Sequence, residues 1–200
     1  ARFLLLSRVA LEFAAGLGFR PDILHCHDWH AAPAAVMLKR MSRNERVLRE
    51  AYAVLTIHNI GYQGVFDSKV LDRVGEGGLR ALMAEEDLRD GRVNFLRAGI
   101  LHADALSTVS PTHAREIQTP QYGMGLDPLL RQRRHRLAGI LNGVDYAHWD
   151  PATDALLPAR YSVMDLAGKR GCRAALAAEA GLQLEEGVPV VGMVTRLAQQ

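Results

Sequence analysis

Short apolar runs rich in β-branched residues recur along this chain, and segments with helical spacing separate them. Ile23-Leu24-His25, Tyr52–Ile57, residues 105–109 and residues 137–141 read as strands. Residues 1–17, 32–40, 79–86 and 93–102 carry apolar side chains at helical spacing, and Pro111 opens another helix at a position that tolerates proline. Strands that alternate with helices need long crossover connections, which make neighbouring strands parallel. The expected fold class is therefore α/β, with a doubly wound parallel sheet.

The texture changes after Asn142. Residues 146–160 contain Trp149, Pro151 and Pro158 with little periodicity and read as an extended linker. A helix is expected over 166–180, ended by Gly181, and Val188 to Val194 reads as a fifth strand that opens a second domain. The boundary is expected near residues 143–165. The chain starts at Ala1 and stops just after this apparent strand, so both ends read as cut from something longer.

Charge and cysteine content narrow the function classes. The 24 Lys and Arg against 22 Asp and Glu leave a net charge of +2, too small an excess to argue for nucleic acid but compatible with an anionic small substrate. Two distant cysteines, Cys26 and Cys172, do not suggest a disulfide framework or a thiolate-held metal. The most apolar stretch, Phe3 to Phe19, is interrupted by Arg8 and Glu12, so an amphipathic core helix is expected there rather than a membrane span or signal peptide.

The densest polar cluster is His25-Cys26-His27-Asp28-Trp29-His30, at the carboxyl end of the first strand. Open α/β sheets build their sites at such strand ends. A metal site, an acid/base site and a sugar clamp are all conceivable. No HExxH, facial-triad or cysteine-pair spacing supports a metal. His25 is expected to pack in the strand, Trp29 to plug the sheet edge and His30 to flank the helix, while His27 stays undecided. Asp28 reads equally as a helix N-cap or as a carboxylate aimed into the crevice.

Later strand ends supply companions. His58 and Asn59 follow the second strand; alone the pair is a weak signal and Asn59 reads as the start of a turn, but Gly61-Tyr62-Gln63-Gly64 then offers polar donors, an aromatic face and two glycines, as a ligand loop would. Asn142-Gly143-Val144-Asp145 follows the fourth strand and is either a plain turn or a site. Thr195-Arg196 ends the fifth; an exposed arginine is usually just solvated, but one at a parallel strand's carboxyl end is better placed to hold a phosphate with two parallel bonds. The run Arg131-Gln132-Arg133-Arg134-His135-Arg136 reads as a solvated helix end, with contact to an anionic ligand as the alternative.

Taken in order, these residues carry a resemblance. His27-Asp28-Trp29-His30-Ala31, Thr56-Ile57-His58-Asn59 with Tyr62-Gln63-Gly64, and Asn94-Phe95-Leu96-Arg97-Ala98-Gly99-Ile100 come first. Ala103-Asp104 with Thr108-Val109-Ser110-Pro111-Thr112, Tyr122-Gly123-Met124-Gly125-Leu126, Asn142-Gly143-Val144-Asp145 with Trp149, and Val194-Thr195-Arg196-Leu197 follow. Together they resemble bacterial glycogen synthase and plant starch synthase, from the first residues to Gln200.

The resemblance implies a Rossmann-like GT-B glycosyltransferase fold, incomplete at both ends. It implies residues 1–145 as part of the acceptor-side domain, 146–165 as the linker, and 166–200 as the start of the nucleotide-sugar domain. The implied reaction moves glucose from ADP-glucose to the non-reducing end of an α-1,4-glucan (glycogen or starch), with retention, without a metal and without a cofactor. His58, Asp28 and Arg196 are the implied catalytic residues; Asn59, Tyr62 and Asn142 are the implied substrate contacts. No nucleic-acid or membrane partner is implied, and the expected compartment is the bacterial cytoplasm, or the plastid of a plant or alga. The family's upstream lysine-glycine-glycine donor loop and the lysine beyond Arg196 are not in this sequence, and Arg97 stands where the family usually has lysine. The piece alone is therefore expected to be inactive. The alternatives are another GT-B transferase with a different donor, and a non-catalytic glucan-binding Rossmann domain.

Overall fold

The expected alternation is present in a computed structural model that describes residues 1–73, 75–185 and 187–196. It divides into two units, Ala1–Asn142 and Gly143–Gln200. The first unit opens with helix α1 (Arg2–Gly16), strand β1 (Ile23–His27), helix α2 (Asp28–Met41) and strand β2 (Tyr52–Ile57). Then come β3 (Val65–Asp67), α3 (Val70–Arg73), α4 (Glu85–Arg89), β4 (Arg92–Asn94) and α5 (Phe95–His102). The unit closes with β5 (Ala105–Thr108), α6 (Pro111–Glu116), α7 (Asp127–Gln132) and β6 (Leu137–Gly139).

The main sheet has the order β1-β2-β5-β6, with every pair parallel. Its carboxyl ends therefore share one edge. Leu55, Ile57 and Leu106 are buried with Ala35, Val36, Leu96 and Ile100 of α2 and α5. Each such valine, leucine or isoleucine side chain contributes about 1.5–3 kcal/mol by leaving water. α2 and α5 pack closely because Gly99 has no side chain: a Cβ there would lie 2.7 Å from the Ala32 Cβ. Ser110 caps α6 by accepting from the His113 N–H at 2.9 Å, with Pro111 in the first turn as expected.

The opposite face is open along β1. Ile23, His25 and His27 alternate outward along β1, with Tyr52 exposed beside them. His25 is thus exposed rather than packed, because no described element covers that face. A polar row crosses it instead: His25 Nε2 pairs with Thr56 Oγ1 at 2.7 Å, and Thr56 Oγ1 with Ser107 Oγ at 2.6 Å.

Four local expectations change. The helix expected at 79–86 is a 3₁₀ segment, Gly77–Leu82, followed by α4, because the chain turns extended at Met83. The helix expected at 93–102 begins two residues later: Asn94 ends β4 and caps α5 by accepting from the Arg97 N–H at 2.9 Å. The antiparallel β3–β4 ribbon has only three residues per strand, too short for a periodic signal. The basic run is not simply solvated either. Arg131 bonds Asp127 and the Gln118 carbonyl, while Arg133 donates to the Leu101 and Ala103 carbonyls, which the end of α5 leaves without helical partners.

The second unit holds helix α8 (Gly168–Glu179) within the expected 166–180, and Gly181 follows at φ 64°. Residues 188–194 form no strand, and Val191 and Val194 are exposed. A strand needs a neighbour for its backbone N–H and C=O groups, and the described residues of this unit provide none.

Candidate active site

The site grows from the junction of β1 and α2. β1 ends at His27, and α2 begins at the next residue with no connecting loop. Asp28 makes this turn at φ 54°, a left-handed conformation that an aspartate tolerates better than most residues. His27 is the N-cap of α2 and makes no side-chain cap. The Asp28 carboxylate does not cap its own helix either. Its Oδ1 accepts from the backbone N–H groups of His58 at 2.7 Å and Asn59 at 3.3 Å.

This latch joins two strand ends. In the β1–β2 register His27 stands opposite Thr56, so the two residues after each strand meet at the sheet edge. Beyond the latch, His27 Nδ1 lies 2.9 Å from His58 Nε2. His27 and Asp28 therefore hold the ring and the backbone of the same residue. His27 is exposed at the sheet edge, yet partial loss of water around the ring is the first cause that pulls its imidazole below its ordinary pKa; His25 and His58 add to it, and Asp28 opposes it. Burial pushes the neighbouring Cys26 thiol up to about 11, so it stays protonated and is no nucleophile at neutral pH.

The following loop is also built. Asn59 Oδ1 accepts from the Gly61 N–H at 2.9 Å, which folds residues 59–61 into a tight turn and leaves Tyr62 exposed. Gly64, at φ 64°, lies over Trp29: a Cβ there would sit 2.6 Å from Trp29 Cδ2. Trp29 does not stand alone at the sheet edge, since Phe3, His30 and Phe66 rings surround it at 4.1–5.4 Å between centroids. Gln63 acts as a clamp. Its Nε2 donates to the Met124 carbonyl at 2.8 Å, and its Oε1 accepts from buried Asn94 at 2.6 Å.

Asp28, His58 and Asn59 are thus brought into contact, with Tyr62 in the same loop. Asn142 follows β6, two strands away from β2 on the same sheet edge, or roughly 10 Å sideways at ordinary strand spacing. Arg196 belongs to the second unit and is exposed there; Leu197 of its motif lies outside the described residues. Among the described residues, no three His, Cys, Asp or Glu side chains converge as metal ligands would. The sequence leaves His27 undecided and gives Gln63 only as part of the ligand loop, with no role of its own. Strand alternation with His25 and the parallel register together would have aimed His27 at the loop after β2.

A family model described as starch synthase catalytic domain matches residues 1–132. The chain belongs to the starch synthase catalytic domain family. Among its relatives, a glycogen synthase of Anaeromyxobacter sp. (strain Fw109-5) is 49% identical over 199 residues, covering 100% of this chain and 42% of the relative. A glycogen synthase of Myxococcus xanthus is 49% identical over 205 residues, covering 100% of this chain and 41% of the relative. The solved catalytic domain of Starch Synthase IV from Arabidopsis thaliana, bound to ADP and acarbose, is 36% identical. It superposes with a TM-score of 0.75 over 93% of this chain and 38% of its own. The starch synthase family chain thus spans about two-fifths of the length of the curated relatives it matches. Its parallel α/β sheet is the Rossmann-like sheet of a GT-B glycosyltransferase.

Proposed function

We propose that the protein is a retaining glucosyltransferase that moves glucose from ADP-glucose to the non-reducing end of an α-1,4-glucan. The observation that carries this reading is the Asp28 latch, which fixes His58 and Asn59 at the strand ends where α/β sheets receive ligands. Membership of the starch synthase family and the ADP and acarbose held by the Arabidopsis relative support it.

Glucosyl transfer builds positive charge at the anomeric carbon and negative charge on the departing phosphate. In this reading Arg196 meets the phosphate, since fixed donors at developing charge supply the largest catalytic effect in most enzymes. His58, Asn59, Tyr62 and Asn142 contact the sugars through hydrogen-bonding groups suited to fixing hydroxyls. Asp28 is given a positioning part: its Oδ1 already accepts two backbone N–H groups, so it organises His58 and Asn59 rather than attacking the sugar. A carboxylate nucleophile of the retaining-glycosidase kind would need a second carboxyl group about 5 Å away as its acid/base partner. The reading instead has the donor's own phosphate assist the incoming hydroxyl.

Residues 1–145 then belong to the acceptor-side domain, 146–165 to the linker and 166–200 to the nucleotide-sugar domain. Its proposed compartment is the bacterial cytoplasm; the bacterial sources of the relatives support the bacterial part of that reading. The test is a product analysis with the full-length protein, ADP-glucose and a maltooligosaccharide. The reading requires ADP release and a new α-1,4 linkage by proton NMR. A β-linkage, or turnover only with UDP-glucose, would contradict it.

A further inference from the structure

One strand-end histidine has no part in that scheme, yet it touches His58 directly. Building on the glucosyltransferase reading, we infer that His27 is a positioning residue for the transfer, fixing the ring orientation and tautomer of His58 through their Nδ1–Nε2 hydrogen bond. The two nitrogens are 2.9 Å apart, a hydrogen-bond distance, and in a pair of neutral imidazoles one nitrogen donates and the other accepts. When His58 Nε2–H donates, His58 Nδ1 is left as an acceptor for a sugar hydroxyl. When His27 Nδ1–H donates, His58 Nδ1 carries the hydrogen and becomes a donor. The partner of one ring nitrogen thus sets what the other offers the substrate.

His27 is well held for this task. Its ring lies against His25, 4.3 Å between centroids and tilted by 34°. His25 is tied through Thr56 to Ser107, so the row is anchored on β1, β2 and β5. The next residue, Asp28, holds the His58 backbone N–H. Two consecutive residues therefore fix both ends of His58, and neither has to move for the other to act. The titratable groups facing His27 are His25 on its own strand, Asp28 at the start of α2 and His58 beyond β2. Partial desolvation first, then His25 and His58, favours the neutral His27 ring, which keeps the shared hydrogen bond available at neutral pH.

The test uses the full-length protein and two variants. His27→Ala removes the ring, and His27→Asn puts an untitratable amide where Nδ1 stood. We expect His27→Ala to lower kcat about tenfold, the size of one ordinary hydrogen bond lost, with KM for ADP-glucose nearly unchanged. We expect His27→Asn to keep most of kcat and to flatten the acid side of its pH profile. The nitrogen-15 shifts of the His58 ring, read without substrate, should move toward a mixed tautomer in His27→Ala. Wild-type kcat and unmoved His58 signals in His27→Ala would overturn the inference; so would a His27→Asn variant as impaired as His27→Ala. The NMR reading does not depend on turnover. Moved His58 signals in a protein that transfers no glucose would sink the glucosyltransferase reading while upholding the pairing.

Discussion

Asp28 reaches from the end of β1 to the backbone N–H of His58 at 2.7 Å, and it does so from a left-handed backbone conformation at φ 54°. Strain of this kind costs about 1–3 kcal/mol and persists where surrounding contacts enforce it. Here the enforcing contact is the latch itself.

Two substitutions separate strain from latch. Asp28→Ala loses the hydrogen bonds and keeps the unfavourable φ; Asp28→Gly loses the hydrogen bonds and relieves it. Equilibrium unfolding should find Asp28→Ala destabilised by about 2 kcal/mol and Asp28→Gly by about 1 kcal/mol less than that. Both should lose most of the glucosyl transfer rate, since His58 and Asn59 are released in either case.

Gly64→Ala should be poorly tolerated. The added methyl would meet the Trp29 ring, and the residue would still need φ 64°. A loss of about 1–3 kcal/mol is expected. In a Trp149→Phe background, which leaves Trp29 as the one tryptophan of these 200 residues, its emission should also shift as the ring is displaced.

Gln63→Ala should loosen two segments at once. Buried Asn94 would lose its acceptor, and the Met124 carbonyl would lose its donor. Leaving such a buried group unpaired costs about 1–3 kcal/mol. Since the clamp ties the Tyr62 loop to residues 122–125, KM for the glucan should rise more than kcat falls. Gln63→Glu should do no better, because a carboxylate cannot donate to a carbonyl.

Acid stability should depend on Asp104. Burial acts to raise its carboxyl, but the Lys39 ammonium at 2.7 Å, the Ala53 N–H and Arg133 outweigh burial and hold it below 3.8. A depressed carboxyl binds fewer protons folded than unfolded. Its stabilisation is therefore present above pH 3.8 and is lost as the pH falls through the lowered value. Asp104→Asn should lower Tm at neutral pH and flatten the fall of Tm below about pH 4. An unchanged acid slope would show that other carboxylates control it.

Much of this was legible in the residues. The period of the apolar runs placed β1, β2, β5 and β6, and the strand ends then pointed to Asp28, His58, Asn59 and Asn142. The β3–β4 ribbon escaped because three residues carry no usable period. Val188 to Val194 looked like a strand because β-branched residues favour pairing, yet pairing needs a neighbour that local sequence cannot supply. Asp28 was divided between helix cap and site because both readings follow from its position. Only its partner, the backbone of residues 58 and 59, distinguishes them, and that partner lies thirty residues away in sequence. His27 was undecided for the same reason: its meaning depends on register, and register is a property of two strands.

The most direct measurement is the initial rate of glucose incorporation from labelled ADP-glucose into glycogen. It compares the full-length protein with its His58→Ala and Arg196→Ala variants, each verified as folded by circular dichroism. The predicted result is glucan elongation by the wild type and loss of at least about 100-fold in either variant, in line with removal of a group that stabilises developing charge or fixes the sugar. Elongation at wild-type rate in the His58→Ala variant, or glucan binding without transfer by the wild type, would contradict it.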